Sequence, residues 1–248
     1  MDAERALRNN FAELAARASD GSYYTYSDFL TLAEQDTLLG MRLPVPVALC
    51  GGYEGAERRI AVFGSEDDFG YPPEPPLAFI KIEPLSPKFA EALTHRDYLG
   101  SILGLGLERD VTGDILPADG ASYLVCLDTA ADFIAENLTK VRHTDVRCTR
   151  IDTLPAISLP TPQQTNVFAA SERADAICAA VFGLSRSESE QLFARKLIFV
   201  NARLTEAPDA RLAPGAVVSV RGHGKFIYCG IEKTTRKGRL CVTVKKYC

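Results

Sequence analysis

Leu77-Ala78-Phe79-Ile80-Lys81-Ile82 reads as a strand, and the residues after it alternate between helical and strand periods up to Ile151. Ser86-Pro87 is expected to cap and start a helix, and Thr94 with Asp97 three residues later forms a capping-box pattern that restarts it toward Leu103. Val111 to Leu116 and Ser122 to Leu127 read as strands around the turn Asp119-Gly120. Thr129 with Asp132 is expected to cap a helix running through Lys140, and Val146 to Ile151 closes the unit as a strand. The order is βαββαβ.

That order is the split, ferredoxin-like arrangement that RNA-recognition motifs also use. The aromatic base-stacking signature of those motifs is missing, because Ala121-Ser122-Tyr123-Leu124-Val125-Cys126-Leu127 holds one aromatic residue. Fold alone therefore assigns no RNA-binding role to this segment.

Two proline-rich stretches flank it. Tyr71-Pro72-Pro73-Glu74-Pro75-Pro76 excludes a helix or a central strand, and Leu154 to Asn166 carries Pro155, Pro160 and Pro162. The expected organisation is α+β with three small domains. Residues 1–76 form a mixed helix and strand domain, 77–153 the ferredoxin-like domain, 154–166 a linker, and 167–248 a C-terminal module. In the first domain, residues from about Ala3 to Arg17 form an amphipathic helix ended by Asp20-Gly21, and a second helix follows Ser27. Val45 to Leu49 and Arg59 to Phe63 are strands around the turn Gly51 to Gly55. In the C-terminal module, Ser171 to Phe182 is a helix stopped by Gly183, and Ser185 with Glu188 caps a second one. Leu197 to Val200, Val217 to Val220, Phe226 to Ile231 and Leu240 to Val244 are strands.

The 248 residues, 46% hydrophobic and 24% charged, exclude a disordered or collagen-like chain. The net charge of −4 hides an asymmetry: Leu184 to Cys248 holds 13 Lys and Arg against 5 Asp and Glu. A basic terminal module on an acidic body points to a polyanionic partner for that module. The seven cysteines are scattered without a C-x-x-C, mostly among apolar neighbours, and read as reduced, small buried hydrophobes. With three histidines, no metal site is expected, and no cofactor motif is found: G-x-S-x-G, G-x-x-x-x-G-K-[ST], H-E-x-x-H and G-x-G-x-x-G are all missing. Neither a signal peptide nor a membrane span is seen, so the expected compartment is the cytoplasm, with no membrane partner.

Leu184-Ser185-Arg186-Ser187-Glu188 through Gln191-Leu192, then Val200-Asn201, Pro208, Leu212, Pro214-Gly215 and Val218 to Gly222, resemble an S4 RNA-binding domain. Thr94-His95-Arg96-Asp97-Tyr98-Leu99-Gly100-Ser101-Ile102-Leu103-Gly104-Leu105-Gly106, followed by Gly113-Asp114-Ile115, resembles the central domain of the bacterial YlmH family. With the ending Thr235 to Arg239, the resemblance spans about Phe79 to Tyr247. It implies a non-catalytic factor that binds ribosomal RNA of the large (50S) subunit, including subunits carrying stalled peptidyl-tRNA, in ribosome-associated quality control. The RNA-binding residues it implies, together with the basic residues of the module, are Ser185, Arg186, Ser187, Gln191, Arg195, Lys196, Asn201, Arg203, Arg221, Lys225, Arg236, Lys237 and Arg239. Arg186 is the foremost of them. Two departures stand out. Lys196 replaces the glycine usual between helix and strand, and Ala194, Leu197 and Phe199 stand at positions often basic in S4 modules.

His95, Arg96 and Tyr98 have two readings, helix capping and packing or a second contact surface for tRNA or ribosomal protein. The alternatives to an RNA-docking factor are an RNA-modifying enzyme, for which Asp114 and Asp128 are the available carboxylates, and an adaptor that binds a ribosomal protein. Nothing in the sequence requires an obligate dimer, so a monomer is expected.

Overall fold

A computed structural model describes residues 2–118, 120–156, 162–236 and 238–247. Asp119 of the expected turn, residues 157–161 of the expected linker, Lys237 and Cys248 lie outside the described residues. The chain divides into two compact units, Met1–Ser158 and Leu159–Cys248, and is a mixed α+β protein.

The first unit opens with α1 (Asp2–Gly21), β1 (Thr25–Tyr26), α2 (Leu32–Leu39), β2 (Val47–Cys50), β3 (Ile60–Phe63) and the short α3 (Glu66–Phe69). The three strands form a sheet in the order β1-β3-β2 with a fully buried β3 at its centre. The helix expected after Ser27 begins later, at a capping box of Thr31 and Glu34. Residues 27–30 are held extended instead. Ser27 exchanges hydrogen bonds with Ala61, the Phe29 N–H donates to Asp110 O at 2.8 Å and the Leu30 N–H to Arg59 O at 2.9 Å.

Next come β4 (Leu77–Pro84), α4 (His95–Leu103), β5 (Thr112–Ala118), β6 (Ala121–Leu127), α5 (Asp128–Asn137), β7 (Lys140–Val141) and β8 (Thr144–Ile151). The strands pair antiparallel in the order β5-β6-β4-β8-β7. Ile80, Ile82, Ile102, Leu124 and Ile134 fill the core between this sheet and α4 and α5. Ser86-Pro87 starts only a 3-10 turn, Pro87–Phe89. The Leu85 N–H donates to Asp145 O at 2.9 Å and the Glu91 N–H to the Thr144 hydroxyl at 3.3 Å, which draws this segment along β7 and β8 and away from helical geometry. Thr129 does not cap α5; the helix follows β6 directly, and Asp128 and Asp132 turn to Arg150. It also ends at Asn137 rather than Lys140, because Lys140 and Val141 pair with Asp145 and Thr144.

Both sides of the boundary expected at residue 76 lie within the first unit. Phe29 and Ile60 pack with Val125, Leu127 and Phe79, on the face of the five-stranded sheet that α4 and α5 leave open.

The second unit consists of β9 (Gln163–Ala169), α6 (Ala174–Phe182), α7 (Arg186–Ala194), β10 (Ile198–Val200), β11 (Arg203–Leu204), β12 (Val217–Val220), β13 (Gly224–Thr234) and β14 (Leu240–Lys246). Its sheet runs β11-β10-β12-β13-β14-β9, antiparallel throughout. Ile177, Cys178, Leu192, Phe193, Val218 and Phe226 are buried where α6 and α7 cover one face. Residues 163–166, expected as linker, are strand: Gln163 to Ala169 pair with Lys246 to Leu240 along the sheet edge. The start of α6 moves from Ser171 to Ala174 because Arg173 bridges Arg211 and the Ala174 N–H donates to Ala210 O at 2.9 Å.

Candidate nucleic-acid interface

Gly183, at φ +68°, stops α6, and Ser185 opens α7 as a capping box. The Ser185 hydroxyl accepts from the Glu188 N–H at 3.2 Å, and the Glu188 carboxylate accepts from the Ser185 N–H at 2.7 Å. These bonds hold the Glu188 pKa below the usual carboxylate range, the backbone donor contributing most. The cap thus uses Ser185 within the chain, and the anion-seeking group at this end is the Arg186 side chain. It is 79% exposed and pairs with Glu190, with Nε donating to Oε1 at 3.0 Å. An exposed i,i+4 pair of this kind is weak, so the guanidinium is readily recruited by a phosphate.

Arg186 and Arg239 line one cavity of about 320 Å³ together with Arg173. The Arg173 guanidinium donates twice to the Asp175 carboxylate, at 3.0 and 2.8 Å, and the Ala176 N–H donates to the same carboxylate at 2.7 Å. Burial pushes the Asp175 pKa up, and these donors outweigh it, so the group stays ionised and fixes Arg173 in place. Phe168, on β9, forms part of the wall. Arg173 and Phe168 were not among the residues expected from sequence. Their stretch lies outside the densest charge run, and Phe168 belongs to β9, whose start is hidden in sequence by the preceding Pro155, Pro160 and Pro162.

Other expected residues gather elsewhere on the second unit. Phe199, Ser219 and Lys225 are register partners across β10, β12 and β13. Their neighbours Ile198, Val218, Val220 and Phe226 face the helices, so alternation places this row on the opposite face. There the Arg221 guanidinium lies 4.6 Å from the Phe199 ring centroid, and the Lys225 ammonium lies 4.6 Å from that of Tyr247. Ser187, Gln191 and Arg195 are exposed on and just beyond α7, Arg203 is exposed in β11, and Arg236 is exposed in the turn before β14. Lys196 pairs with Glu206 at 3.0 Å. Asn201 has a structural task, since its side-chain oxygen accepts from the Val217 N–H at 3.0 Å and locks the turn between β10 and β11.

In the first unit Tyr98 is 5% exposed and belongs to the core, which removes it from any contact surface. The Asp97 carboxylate accepts from the Thr94 hydroxyl at 2.7 Å and the Thr94 N–H at 2.8 Å, the capping arrangement read from sequence. Arg96 is exposed, and partial burial with Arg109 nearby pushes the His95 imidazole pKa down. Asp114 is fully engaged: its carboxylate accepts from the Tyr53 hydroxyl at 2.7 Å, the Glu57 N–H at 2.7 Å and the Arg58 N–H at 3.2 Å. Among the described residues no group of three His, Cys, Asp or Glu could hold a metal ion, and no helix is long and apolar enough to cross a membrane. Burial pushes the Cys126, Cys148 and Cys178 thiols up to about 12, so they are protonated and unreactive.

Fold and site define a mixed α+β protein whose second unit presents arginines around a cavity and cations stacked on aromatic rings. Residues 76–154 match the family described as "Putative RNA-binding domain in YlmH". "Ribosome-associated protein quality control protein P2" of Bacillus subtilis (strain 168) is 31% identical over 252 residues, which cover 98% of this chain and 95% of that protein. The solved structure "Cell division protein ylmH from Streptococcus pneumoniae" is 20% identical, covers 61% of this chain and 92% of its own, and superposes with a TM-score of 0.48. The chain belongs to the YlmH family.

Proposed function

We propose that this protein is a non-catalytic, ribosome-associated RNA-binding factor whose second unit is an S4 module that docks on structured ribosomal RNA of the large subunit. The observation that carries this reading is the concentration of exposed cations on the second unit, Arg186, Arg195, Arg203, Arg221 and Arg236 among them. The unit from Leu159 to Cys248 holds 14 Lys and Arg against 7 Asp and Glu, which suits a phosphate backbone. The description of the matched family and the name of the relative from Bacillus subtilis support RNA binding and a place in ribosome-associated quality control. The middle segment is read as ferredoxin-like, on the antiparallel order β5-β6-β4-β8. Its open face is partly covered by Phe29 and Ile60, which speaks against base stacking there. The protein acts in this reading as a cytoplasmic monomer. The engagement of Asp114 by three donors and of Asp128 by Arg150 supports a non-catalytic role, since both carboxylates are used in folding.

The test is sedimentation of wild type and Arg186→Ala with purified 50S, 30S and 70S particles at two salt concentrations. Salt-sensitive co-migration with 50S, reduced in the variant at unchanged fold, is the expected result. Absence of co-migration with any particle removes the ribosomal reading.

A further inference from the structure

The cavity in the second unit has a composition that duplex docking does not require. At about 320 Å³ it sits at the small end of ligand pockets, with room for a single small group and none for a base-paired helix. Its walls divide by chemistry. Arg186, Arg239 and the ion pair of Arg173 with Asp175 supply the polar side, while Phe168, Ala179 and Leu184 supply the apolar one. Arg239 has no carboxylate partner among the described residues, so its guanidinium is open to an outside anion, and an arginine fork matches two phosphate oxygens at once. Phe168 is 54% exposed on the edge strand β9, a large flat ring with no task in the core. An exposed aromatic ring beside arginines is what an unpaired base stacks on.

We propose that this cavity takes one nucleoside 5′-phosphate unit, with the base against Phe168 and the phosphate between Arg186 and Arg239. The proposal rests on the RNA-binding reading above and adds to it a site for a single unpaired nucleotide. Arg173 is neutralised by Asp175, which lines the same cavity, so Arg186 and Arg239 are the cations left to meet the phosphate. A phosphorylated peptide would use the arginines and have no call on the ring, which separates the two ligand classes.

The experiment is calorimetric titration of the full chain with AMP, UMP, inorganic phosphate and O-phosphoserine. AMP is expected to bind at least tenfold tighter than phosphate or O-phosphoserine. Phe168→Leu should weaken AMP at least fivefold and leave phosphate unchanged, Phe168→Tyr should restore it, and Arg239→Gln should weaken both ligands. AMP binding no tighter than phosphate, or AMP affinity unaltered in Phe168→Leu, overturns the proposal. Displacement of AMP by an RNA hairpin with a one-nucleotide bulge, and not by the fully paired hairpin, assigns the nucleotide to RNA; displacement by neither assigns it to a free mononucleotide. The RNA-docking reading is judged apart from this, since wild type can co-sediment with 50S particles whether or not the cavity takes AMP.

Discussion

Lys196 holds φ at +58°, a left-handed conformation, where the chain turns from α7 into β10. Glycine adopts this conformation at no steric cost, whereas a residue with a Cβ loses about 1–2 kcal/mol in this region. The turn keeps its geometry because the Lys196 N–H donates to Phe193 O and the Leu197 N–H to Leu192 O, at 2.9 and 3.0 Å. Lys196→Gly should therefore raise stability by about 0.5–1 kcal/mol, the strain relieved less the greater freedom of glycine in the unfolded chain. Lys196→Ala keeps the strain and loses the exposed pair with Glu206, so it should leave stability within about 0.5 kcal/mol of wild type. Urea unfolding of the three proteins checks both values. Asp114 is a second residue whose task is local. Asp114→Ala removes an acceptor shared by three donors from residues 53–58 and should cost about 2 kcal/mol, with Asp114→Asn costing less because one oxygen remains.

At the scale of elements, capping boxes decide where α4 and α7 begin, and the carboxylates of both boxes titrate. The pKa of Asp97 is lowered first by the Thr94 hydroxyl and then by its N–H, and that of Glu188 first by the Ser185 N–H and then by its hydroxyl. Depressed carboxylates contribute stability that is present above their unfolded pKa values, about 3.9 for Asp and 4.3 for Glu, and lost as pH falls through the folded values. Ser185→Ala should lower stability at pH 7 by about 1 kcal/mol and lose less than wild type on going to pH 3, because part of the acid-labile term is already gone. Denaturant curves at the two pH values measure this. Both boxes were legible in the sequence, since Ser185 with Glu188 and Thr94 with Asp97 are purely local patterns. The succession β4, α4, β5, β6, α5, β8 along the chain was legible for the same reason, and the two-residue β7 was not. Nor was β9: it opens with the polar run Gln163 to Asn166, follows three prolines, and becomes a strand only because β14, more than 70 residues on, offers a partner edge. Thr129 carried a capping pattern of equal quality to Thr94 and failed, because Arg150 from β8 claims Asp128 and Asp132. A distant cation overrode a local signal.

For the whole molecule the governing quantity is the partition of charge. Met1 to Ser158 holds 14 Lys and Arg against 25 Asp and Glu, so the acidic unit repels a phosphate backbone while the basic unit attracts it. Attachment to RNA through the second unit alone predicts a definite salt response. With about five phosphates neutralised, log K against log salt should have a slope of about −3 to −5. Each phosphate-contacting cation removed should flatten that slope by about 1 and weaken binding on every RNA sequence alike. Arg186→Ala and Arg239→Gln should each do so. Arg5→Ala and Arg8→Ala, on α1 in the acidic unit, should change neither slope nor affinity. An adaptor that uses its acidic body to hold a basic protein would behave in the opposite way: its binding would survive nuclease treatment, and the arginines of the second unit would be silent. Co-sedimentation with 50S particles across a salt series, repeated with these four variants, sets the two designs against each other. Affinity that stays flat from low to high salt would exclude phosphate neutralisation as the source of binding.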